Sequence, residues 1–191
     1  RMSFKIVFTE EFCQPENLFP FTLTRPIQDI RIGIFTIREK WEMMLGLKSQ
    51  DRWEDDYKNS GHSIRINRNI GNDIFFMIHG NVLPTPRLIK NLQKLENGEF
   101  ISINGNAGII FRFSKKEIVE PNKIKVTKAV TLKEDVKSIQ FPWDIFQLND
   151  YAIRADFKWI AQRRKSQKIS KTNRVINSSE IFLEKGVQVE H

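Results

Sequence analysis

The spacing of apolar residues along the chain predicts its strands and helices. Short apolar runs predict strands, and apolar residues three or four positions apart predict helices. Residues 3–9 are largely apolar and predict a first strand. Residues 73–79 form a continuous apolar run between two glycines, which is typical of a strand buried on both faces in a parallel sheet. Residues 99–103 and 107–113 predict a hairpin, because an Asn-Gly-Asn sequence separates them.

Three helices are predicted between and after these strands. The first begins at Thr36, whose hydroxyl can form a capping box with Glu39, and it ends at Gly46. The second begins at Thr85, which a proline follows, and the third covers residues 149–162. The residues expected to face the core are Ile37, Trp41, Met44 and Leu45, then Leu88, Leu92 and Leu95, then Ile153, Phe157 and Ile160. Early alternation of strand and helix with a later hairpin predicts an α/β domain with a mixed sheet.

The last residues follow a different period. Val175, Ile181 and Val187 lie six residues apart, as do Ile176 and Phe182. A six-residue apolar period is typical of a left-handed β-helix, whereas an ordinary amphipathic hairpin is the alternative. We therefore expect an α/β domain over residues 2–165, then a linker and the first coils of a β-helix over residues 166–191, truncated after about two coils.

Composition restricts where the chain works. The 191 residues include one cysteine, Cys13, so no internal disulfide can form, which favours a reducing compartment. No apolar run approaches the roughly 18 residues that a membrane helix needs. The N-terminal residues become charged too early for a signal peptide, so we expect a cytoplasmic protein with no membrane partner.

The formal net charge of +8 indicates an anionic partner. The basic residues are densest around Arg163, Arg164 and Lys165. Such a run is usually a solvated linker or helix end, and the alternative is a nucleic-acid-binding surface. No helix-turn-helix or aromatic RNA-binding signature accompanies it, so nucleic acid is not the expected partner.

Several common catalytic motifs are absent. The chain has no Walker A sequence and no Gly-x-Ser-x-Gly nucleophile elbow. Its histidines, His62, His79 and His191, are scattered, and Cys13 has no neighbouring ligand, so a zinc site is not expected.

The segment between the first strand and the first helix concentrates the polar candidates for binding. It contains Thr22, Thr24, Arg25 and Arg31, and in open α/β sheets such a segment lies at the carboxyl end of a strand, where ligands bind. The two guanidinium groups can hold phosphates through forked hydrogen bonds. The alternative is that these arginines pair locally with the acids Glu10, Glu11 or Asp29.

Four groups of residues, in chain order, carry a resemblance to a family. They are Pro20-Phe21-Thr22 with Arg25-Pro26 and the segment from Ile30 to Trp41, then Gly80-Asn81-Val82-Leu83-Pro84, then Pro142-Trp143-Asp144-Ile145-Phe146 with Asn149, and last Thr172-Asn173 with Val175-Ile176. The chain thereby resembles the sugar nucleotidyltransferases. Within them it is most similar to a divergent group. That group resembles the N-terminal domain of the bifunctional N-acetylglucosamine-1-phosphate uridylyltransferase and glucosamine-1-phosphate acetyltransferase. On this resemblance we expect a bacterial and cytoplasmic protein.

The resemblance implies a Rossmann-like nucleotidyltransferase domain followed by a left-handed β-helix. It implies attack of a sugar-1-phosphate oxygen on the α-phosphorus of a nucleoside triphosphate, with release of pyrophosphate, assisted by Mg²⁺. Arg25, Arg31 and Asn81 are then the expected catalytic residues. The expected binding residues are Thr22, Thr24, Arg25, Gly33, Gly80 and Asp144. A full-length form with a longer β-helix would be expected to form a trimer.

Three departures from the family pattern concern the phosphates and the metal. The Gly-rich phosphate loop is replaced by Thr9-Glu10-Glu11-Phe12, and Ile27 replaces the lysine after Arg-Pro. Asn81 stands where the family has its metal-binding aspartate, and an uncharged amide is a poor sole ligand for Mg²⁺. The sequence leaves the metal ligand open: Asn81 and Asp144 are candidates, and Asp150 and Asp156 are further aspartates that the sequence does not place at the site.

Two alternatives to an active enzyme follow. A catalytically inactive domain of the same fold would act as a regulatory or scaffolding unit for a hexapeptide acyltransferase, a hypothesis that the lost phosphate loop and Asn81 favour. A nucleic-acid-binding module would use Arg163, Arg164 and Lys165 and would bind polyanions in a salt-sensitive way.

Overall fold

The computed structural model describes residues 3–10, 15–49, 71–105, 108–120 and 123–176. The strands are β1 (Phe4–Thr9), β2 (Arg31–Ile32), β3 (Phe35–Thr36), β4 (Ile74–His79), β5 (Glu99–Ile103), β6 (Gly108–Phe113), β7 (Ile118–Glu120), β8 (Lys123–Ile124) and β9 (Lys128–Leu132). The α-helices are α1 (Ile37–Leu45), α2 (Pro86–Leu92) and α3 (Pro142–Ile176), and 3-10 helices cover Pro15–Leu18, Ile27–Asp29 and Lys115–Glu117.

The main sheet has five strands in the order β1-β4-β6-β5-β9. Strands β1 and β4 are parallel, as are β5 and β9, whereas β6 runs antiparallel to both of its neighbours. The predicted α/β class with a mixed sheet is therefore confirmed. All six residues of β4 are buried, as its continuous apolar run predicts.

Local signals set the two shorter helices. In α1 the Thr36 hydroxyl accepts from the backbone N–H of Glu39, the Glu39 side chain accepts from the N–H of Thr36, and Gly46 ends the helix with φ of 65°. In α2 the Thr85 side chain accepts from the N–H of Leu88. Both caps confirm the sequence prediction, because a cap is a contact within four residues.

The β5–β6 hairpin also forms as predicted. Asn104 and Gly105 both have positive φ, at 53° and 75°, which is the conformation that an Asn-Gly turn favours. Strand β9 pairs with β5 in the main sheet, whereas β8 pairs with β7 in a separate two-stranded sheet.

Helix α3 differs most from the prediction. It begins at Pro142, before the predicted start, and it continues to Ile176 across the predicted linker that begins at residue 166. Phe157, predicted to face the core, is 61% exposed, while Ala152 and Asp156 are buried. The six-residue period starts inside this helix, and residues 177–191, which carry the remainder of the predicted β-helix, lie outside the described residues.

The main core lies on one face of the sheet. It joins Ile6 and Phe8 of β1 and Phe76 and Ile78 of β4 to Trp41 of α1. The Trp41 indole is fully buried and donates to the carbonyl oxygen of Val82 at 2.9 Å. This contact fixes α1 against the segment that leaves the carboxyl end of β4. In the described part of the chain, no helix combines the length and apolar character that crossing a bilayer requires.

Candidate functional site

The carboxyl ends of β1 and β4 form one edge of the sheet. The two strands are paired in register from Phe4 with Ile74 to Thr9 with His79. The backbone N–H of Gly80 then donates to the carbonyl oxygen of Thr9 at 3.0 Å. The chain therefore leaves both strands at the same place, which is where open α/β sheets bind their ligands.

A short 3-10 helix, Ile27–Asp29, lies against this edge. The N–H of Ile27 donates to the Glu10 carboxylate at 2.9 Å. Gln28 packs against Gly80, because a Cβ built on that glycine would lie 2.8 Å from the amide oxygen of Gln28. The absence of a side chain at Gly80 thus makes room for Gln28, which is completely buried.

Two carboxamides at this edge have no hydrogen-bond partner among the described residues. Both the amide nitrogen and the amide oxygen of Gln28 are buried and unpaired there. Asn81 is 6% exposed; its backbone oxygen accepts from Ile139, but its side chain makes no hydrogen bond to any described residue. Buried polar groups are nearly always paired, so the unpaired amide of Gln28 calls for a physical explanation.

The loop before this helix carries Arg25. The loop is formed by successive turns in which Phe21 donates to Leu18 and Leu23 donates to Pro20. Thr24 and Arg25 are exposed, and Thr22 is half-buried. Arg25 makes no hydrogen bond or ion pair with the described residues, so the predicted alternative of pairing with Glu10 or Asp29 does not occur there. Glu11 lies outside the described residues.

Asp29 has a different cationic partner. Its carboxylate accepts from the guanidinium of Arg38, with Nε to Oδ1 at 2.6 Å. Arg31 donates to the carbonyl oxygen of Ile34 within its own β2–β3 hairpin, and it lies 3.9 Å from the Glu39 carboxylate with 60% of its side chain exposed. Arg31 is therefore loosely held within its hairpin rather than clasped by Asp29.

Gly33 approaches helix α3. It has φ of +73°, and a Cβ there would lie 2.7 Å from the Asp156 carboxylate and 2.8 Å from the backbone carbon of Ala152. The N–H of Gly33 donates to Asn149 and the N–H of Ile34 donates to Asp156, both at 2.9 Å. Gly33 therefore packs closely against α3. Its predicted role in nucleotide binding stays a prediction.

Lys40 completes this contact. Its ammonium donates to both oxygens of Asp156, at 2.8 and 2.6 Å, and both side chains are buried. Burial lowers the pKa of Lys40, and its hydrogen bonds to Asp156 oppose that shift in part. The sequence analysis missed Lys40 and the structural role of Asn149. The available signal was the seven-residue spacing of Asn149 and Asp156, which places them on one helix face.

The three candidate aspartates each have protein partners. Asp144 accepts from the N–H groups of Gln140 and Phe141, both at 2.9 Å, at the start of α3. Asp150 pairs with Arg154 at 3.0 Å on the surface, and Asp156 is held by Lys40. Among the described residues no group of three or more His, Cys, Asp or Glu side chains could hold a metal ion. Because Mg²⁺ is commonly held by one or two carboxylates together with substrate phosphates, its binding here stays a prediction.

Comparison with protein families adds a decisive observation. The family model for sugar nucleotidyl transferases matches residues 6–165, which is most of the chain. The chain belongs to the sugar nucleotidyl transferase family. Comparison with curated proteins found no match. The matched residues include both the edge around Gly80 and the hairpin around Gly33.

His79 ends β4 beside the site of this sugar nucleotidyl transferase. Burial lowers its pKa to about 4, so its imidazole is neutral at physiological pH. Its ring lies 6.3 Å from that of Phe111. A neutral, buried ring at this position contributes shape and no positive charge. Cys13, His62 and His191 lie outside the described residues.

The basic run of the sugar nucleotidyl transferase follows α3 beyond the core. Arg163 and Lys165 line a groove of about 1010 Å³ between the end of α1 and α3, together with Met43, Leu47 and Trp159. Arg164 is exposed. The groove lies at the C-terminal end of α1, and its lining includes none of the residues described at the carboxyl edge of β1 and β4.

Proposed function

We propose that the chain binds a nucleoside triphosphate and a sugar-1-phosphate at the carboxyl edge of β1 and β4 and transfers a nucleotidyl group between them. The sugar-phosphate oxygen would form a bond to the α-phosphorus while the α–β anhydride bond breaks and pyrophosphate leaves. Membership of the sugar nucleotidyl transferase family supports the substrate class. The parallel pair β1–β4, with both chains leaving at one edge, supports the location.

The observation that carries this proposal is the exposed guanidinium of Arg25, which has no hydrogen bond or ion pair with any residue that the structure describes. It lies two residues before Ile27, whose N–H is bound to Glu10 at the end of β1. A cation without a protein partner beside a ligand-binding edge is suited to a phosphate, which it can hold through two parallel hydrogen bonds. Thr22 and Thr24 on the same loop are proposed as neutral donors to the same phosphates.

Arg31 is proposed as a second phosphate contact. Most of its side chain is exposed, and its hydrogen bond to Ile34 uses one nitrogen of the guanidinium. The contacts of Gly33 with Asn149 and Asp156 hold the hairpin that carries it. Charge on positioned guanidinium groups stabilises the charge that develops as pyrophosphate leaves. Asp144 is kept as a binding residue, although its carboxylate already caps two backbone N–H groups.

Mg²⁺ dependence stays a prediction from the resemblance, and we propose no protein ligand set for it. Asn81 brings no negative charge, and the three candidate aspartates have other partners. The chemistry that these residues support directly is anion binding and positioning.

Calorimetric titration with UTP, dTTP and GTP in the presence of Mg²⁺ tests the proposal. We expect heat of binding from at least one triphosphate, and an Arg25→Gln variant should bind it at least tenfold more weakly. Arg164→Gln removes the same charge from the exposed basic run of α3 and serves as the matched control. Absence of heat from every triphosphate would overturn the proposal.

The same pair of variants separates the nucleic-acid hypothesis. If the basic run is the functional surface, Arg164→Gln should weaken binding to single-stranded DNA and RNA in a salt-dependent way, and Arg25→Gln should not. We expect the opposite ranking for triphosphates.

A second candidate function is binding without turnover, in a regulatory or scaffolding domain of a hexapeptide acyltransferase. The uncharged Asn81 and the prior engagement of Asp144, Asp150 and Asp156 favour it. Pyrophosphate release with a panel of sugar-1-phosphates distinguishes the two. Binding with no release in any combination would favour the scaffold.

The closer resemblance to the uridylyltransferase domain of the bifunctional enzyme remains a proposal. So do a β-helix over residues 177–191, trimerisation of a longer form, a bacterial origin and a cytoplasmic location. Size-exclusion chromatography with light scattering on a longer chain would test trimerisation.

A further inference from the structure

We propose that Gln28 and Asn81 form a recognition site for an uncharged hydrogen-bonding edge of the substrate. The chemical class is a group with adjacent donors and acceptors, from either the sugar hydroxyls or the nucleobase. This inference rests on the proposed function and assigns the part of the ligand that the carboxyl edge reads. It adds Gln28, which neither the family resemblance nor the sequence pattern points to.

The first support is burial without partners. Gln28 is completely buried, and neither polar atom of its amide has a hydrogen-bond partner in the part of the chain that the structure describes. An unpaired buried polar group is destabilising, because it has lost its hydrogen bonds to water and gained none in the protein. The free protein therefore carries an unfavourable arrangement at Gln28, and a bound group that pairs with the amide would relieve it.

The second support is the neighbouring amide. Asn81 follows Gly80 directly, and a Cβ built on Gly80 would lie 2.8 Å from the amide oxygen of Gln28, so Gln28 packs beside the residue that precedes Asn81. Asn81 is 6% exposed, and its side chain makes no hydrogen bond to a described residue. Its location places the pair at the edge of the sheet rather than inside the main core.

The third support is the chemistry of the amide group. A carboxamide offers two N–H donors and one acceptor oxygen, and it carries no charge at any pH. It cannot neutralise a phosphate, but it can form paired hydrogen bonds to a base edge or to neighbouring hydroxyls. A site that hydrogen-bonds a substrate group strongly rejects ligands that lack that group. The pair is thus suited to reading an uncharged part of the ligand while Arg25 holds the phosphates.

Access requires a local change at Gln28. Its amide atoms are covered in the free protein, so its side chain must rotate toward Asn81 to meet a ligand. Rotation between staggered side-chain conformers is a small change. Since the amide has no bond to break in the starting position, the rotation sacrifices no hydrogen bond.

The test compares Gln28→Met with wild type, because methionine keeps the length of glutamine and removes its donors and acceptor. Gln147→Met makes the same substitution at an exposed position of α3 and is the matched control. Each protein is titrated with inorganic tripolyphosphate, with UTP, dTTP and GTP, and with glucose-1-phosphate and N-acetylglucosamine-1-phosphate. Thermal unfolding of the free proteins is measured in parallel.

We expect Gln28→Met to leave the melting temperature unchanged or raise it, and to leave the affinity for tripolyphosphate unchanged. We expect it to weaken the binding of one substrate class, either the triphosphates or the sugar phosphates, at least tenfold. Loss confined to the sugar phosphates assigns the amides to the sugar, and loss confined to the triphosphates assigns them to the base. Asn81→Leu should weaken the binding of the same class of ligand.

Two results would overturn the inference. If Gln28→Met lowers the melting temperature and changes no affinity, the amide has only a structural role, such as binding a buried water molecule. If wild type binds tripolyphosphate and the substrates, and the variant binds them equally, the inference fails while the proposed function stands. Failure of wild type to bind any phosphate compound removes the proposed function and this inference together.

Discussion

Gly33 and Gly80 both bring backbone close to polar side chains, yet the two regions differ in how those side chains are paired. At Gly33, Asn149 and Asp156 accept from backbone N–H groups, and Lys40 neutralises Asp156. At Gly80, the amide of Gln28 has no partner among the described residues. Complete pairing is typical of a contact that holds the fold, whereas unpaired buried groups are tolerated where a ligand completes them.

The largest expected effect tests the pairing at Gly33. Lys40→Met removes the cation beside a buried carboxylate, and breaking a buried pair in this way costs about 3–5 kcal/mol of unfolding free energy. Arg154→Met breaks the exposed pair with Asp150 on the same helix and should cost under about 1 kcal/mol. Urea denaturation measures both. Equal costs would show that the buried pair does not hold α3 to the hairpin.

Gly33→Ala comes next. Alanine at φ of +73° is strained by about 1–2 kcal/mol, and crowding against Ala152 and Asp156 adds about 1–3 kcal/mol. Gly105→Ala is the matched control, because Gly105 has φ of +75° and nothing within 4 Å of an added Cβ. Thermal unfolding should place the first variant well below the second. Similar melting temperatures would mean that the helix moves away without loss.

Gly80→Ala should lower the unfolding free energy less than Gly33→Ala does. A second substitution should restore part of the loss. Its added Cβ meets the tip of Gln28, 2.8 Å away, rather than backbone. We expect a cost of about 1–3 kcal/mol that falls by about 1 kcal/mol when Gln28→Ala is combined with it. A double-mutant cycle from chemical denaturation measures this coupling free energy between positions 80 and 28. Strict additivity would contradict the contact between Gly80 and Gln28.

The smallest effect concerns pH at the end of β4. The folded pKa of His79, about 4, lies below the ordinary value of 6.5, so the unfolded chain takes up the proton first as pH falls. The stabilising contribution is complete above pH 6.5 and is lost toward pH 4, by about 1 kcal/mol between pH 7.5 and 5.5. A His79→Gln variant should show a flatter stability profile in that interval. An unchanged slope would remove His79 as the cause.

Local elements could be predicted closely. The caps at Thr36 and Thr85, the stop at Gly46 and the turn at Asn104-Gly105 depend on contacts within a few residues, and all appear as predicted. The fully buried β4 also follows from its unbroken apolar run. The buried face of α3 was harder to predict. The polar Asp156 lies on that face and interrupts the apolar stripe, whereas the apolar Phe157 beside it is exposed.

The sequence by itself determined β1, β4, the β5–β6 hairpin and the starts of the two shorter helices, and it carried the family resemblance and the expectation that Arg25 lies on the loop after β1. Tertiary structure alone decided which residues 116 and 122 positions apart meet, namely Gly33 with Asn149 and Ile34 with Asp156. It also decided that Gln28 is buried beside Gly80 with no partner among the described residues. Periodicity reports which face of an element is apolar, but pairing between distant polar groups depends on how those elements pack.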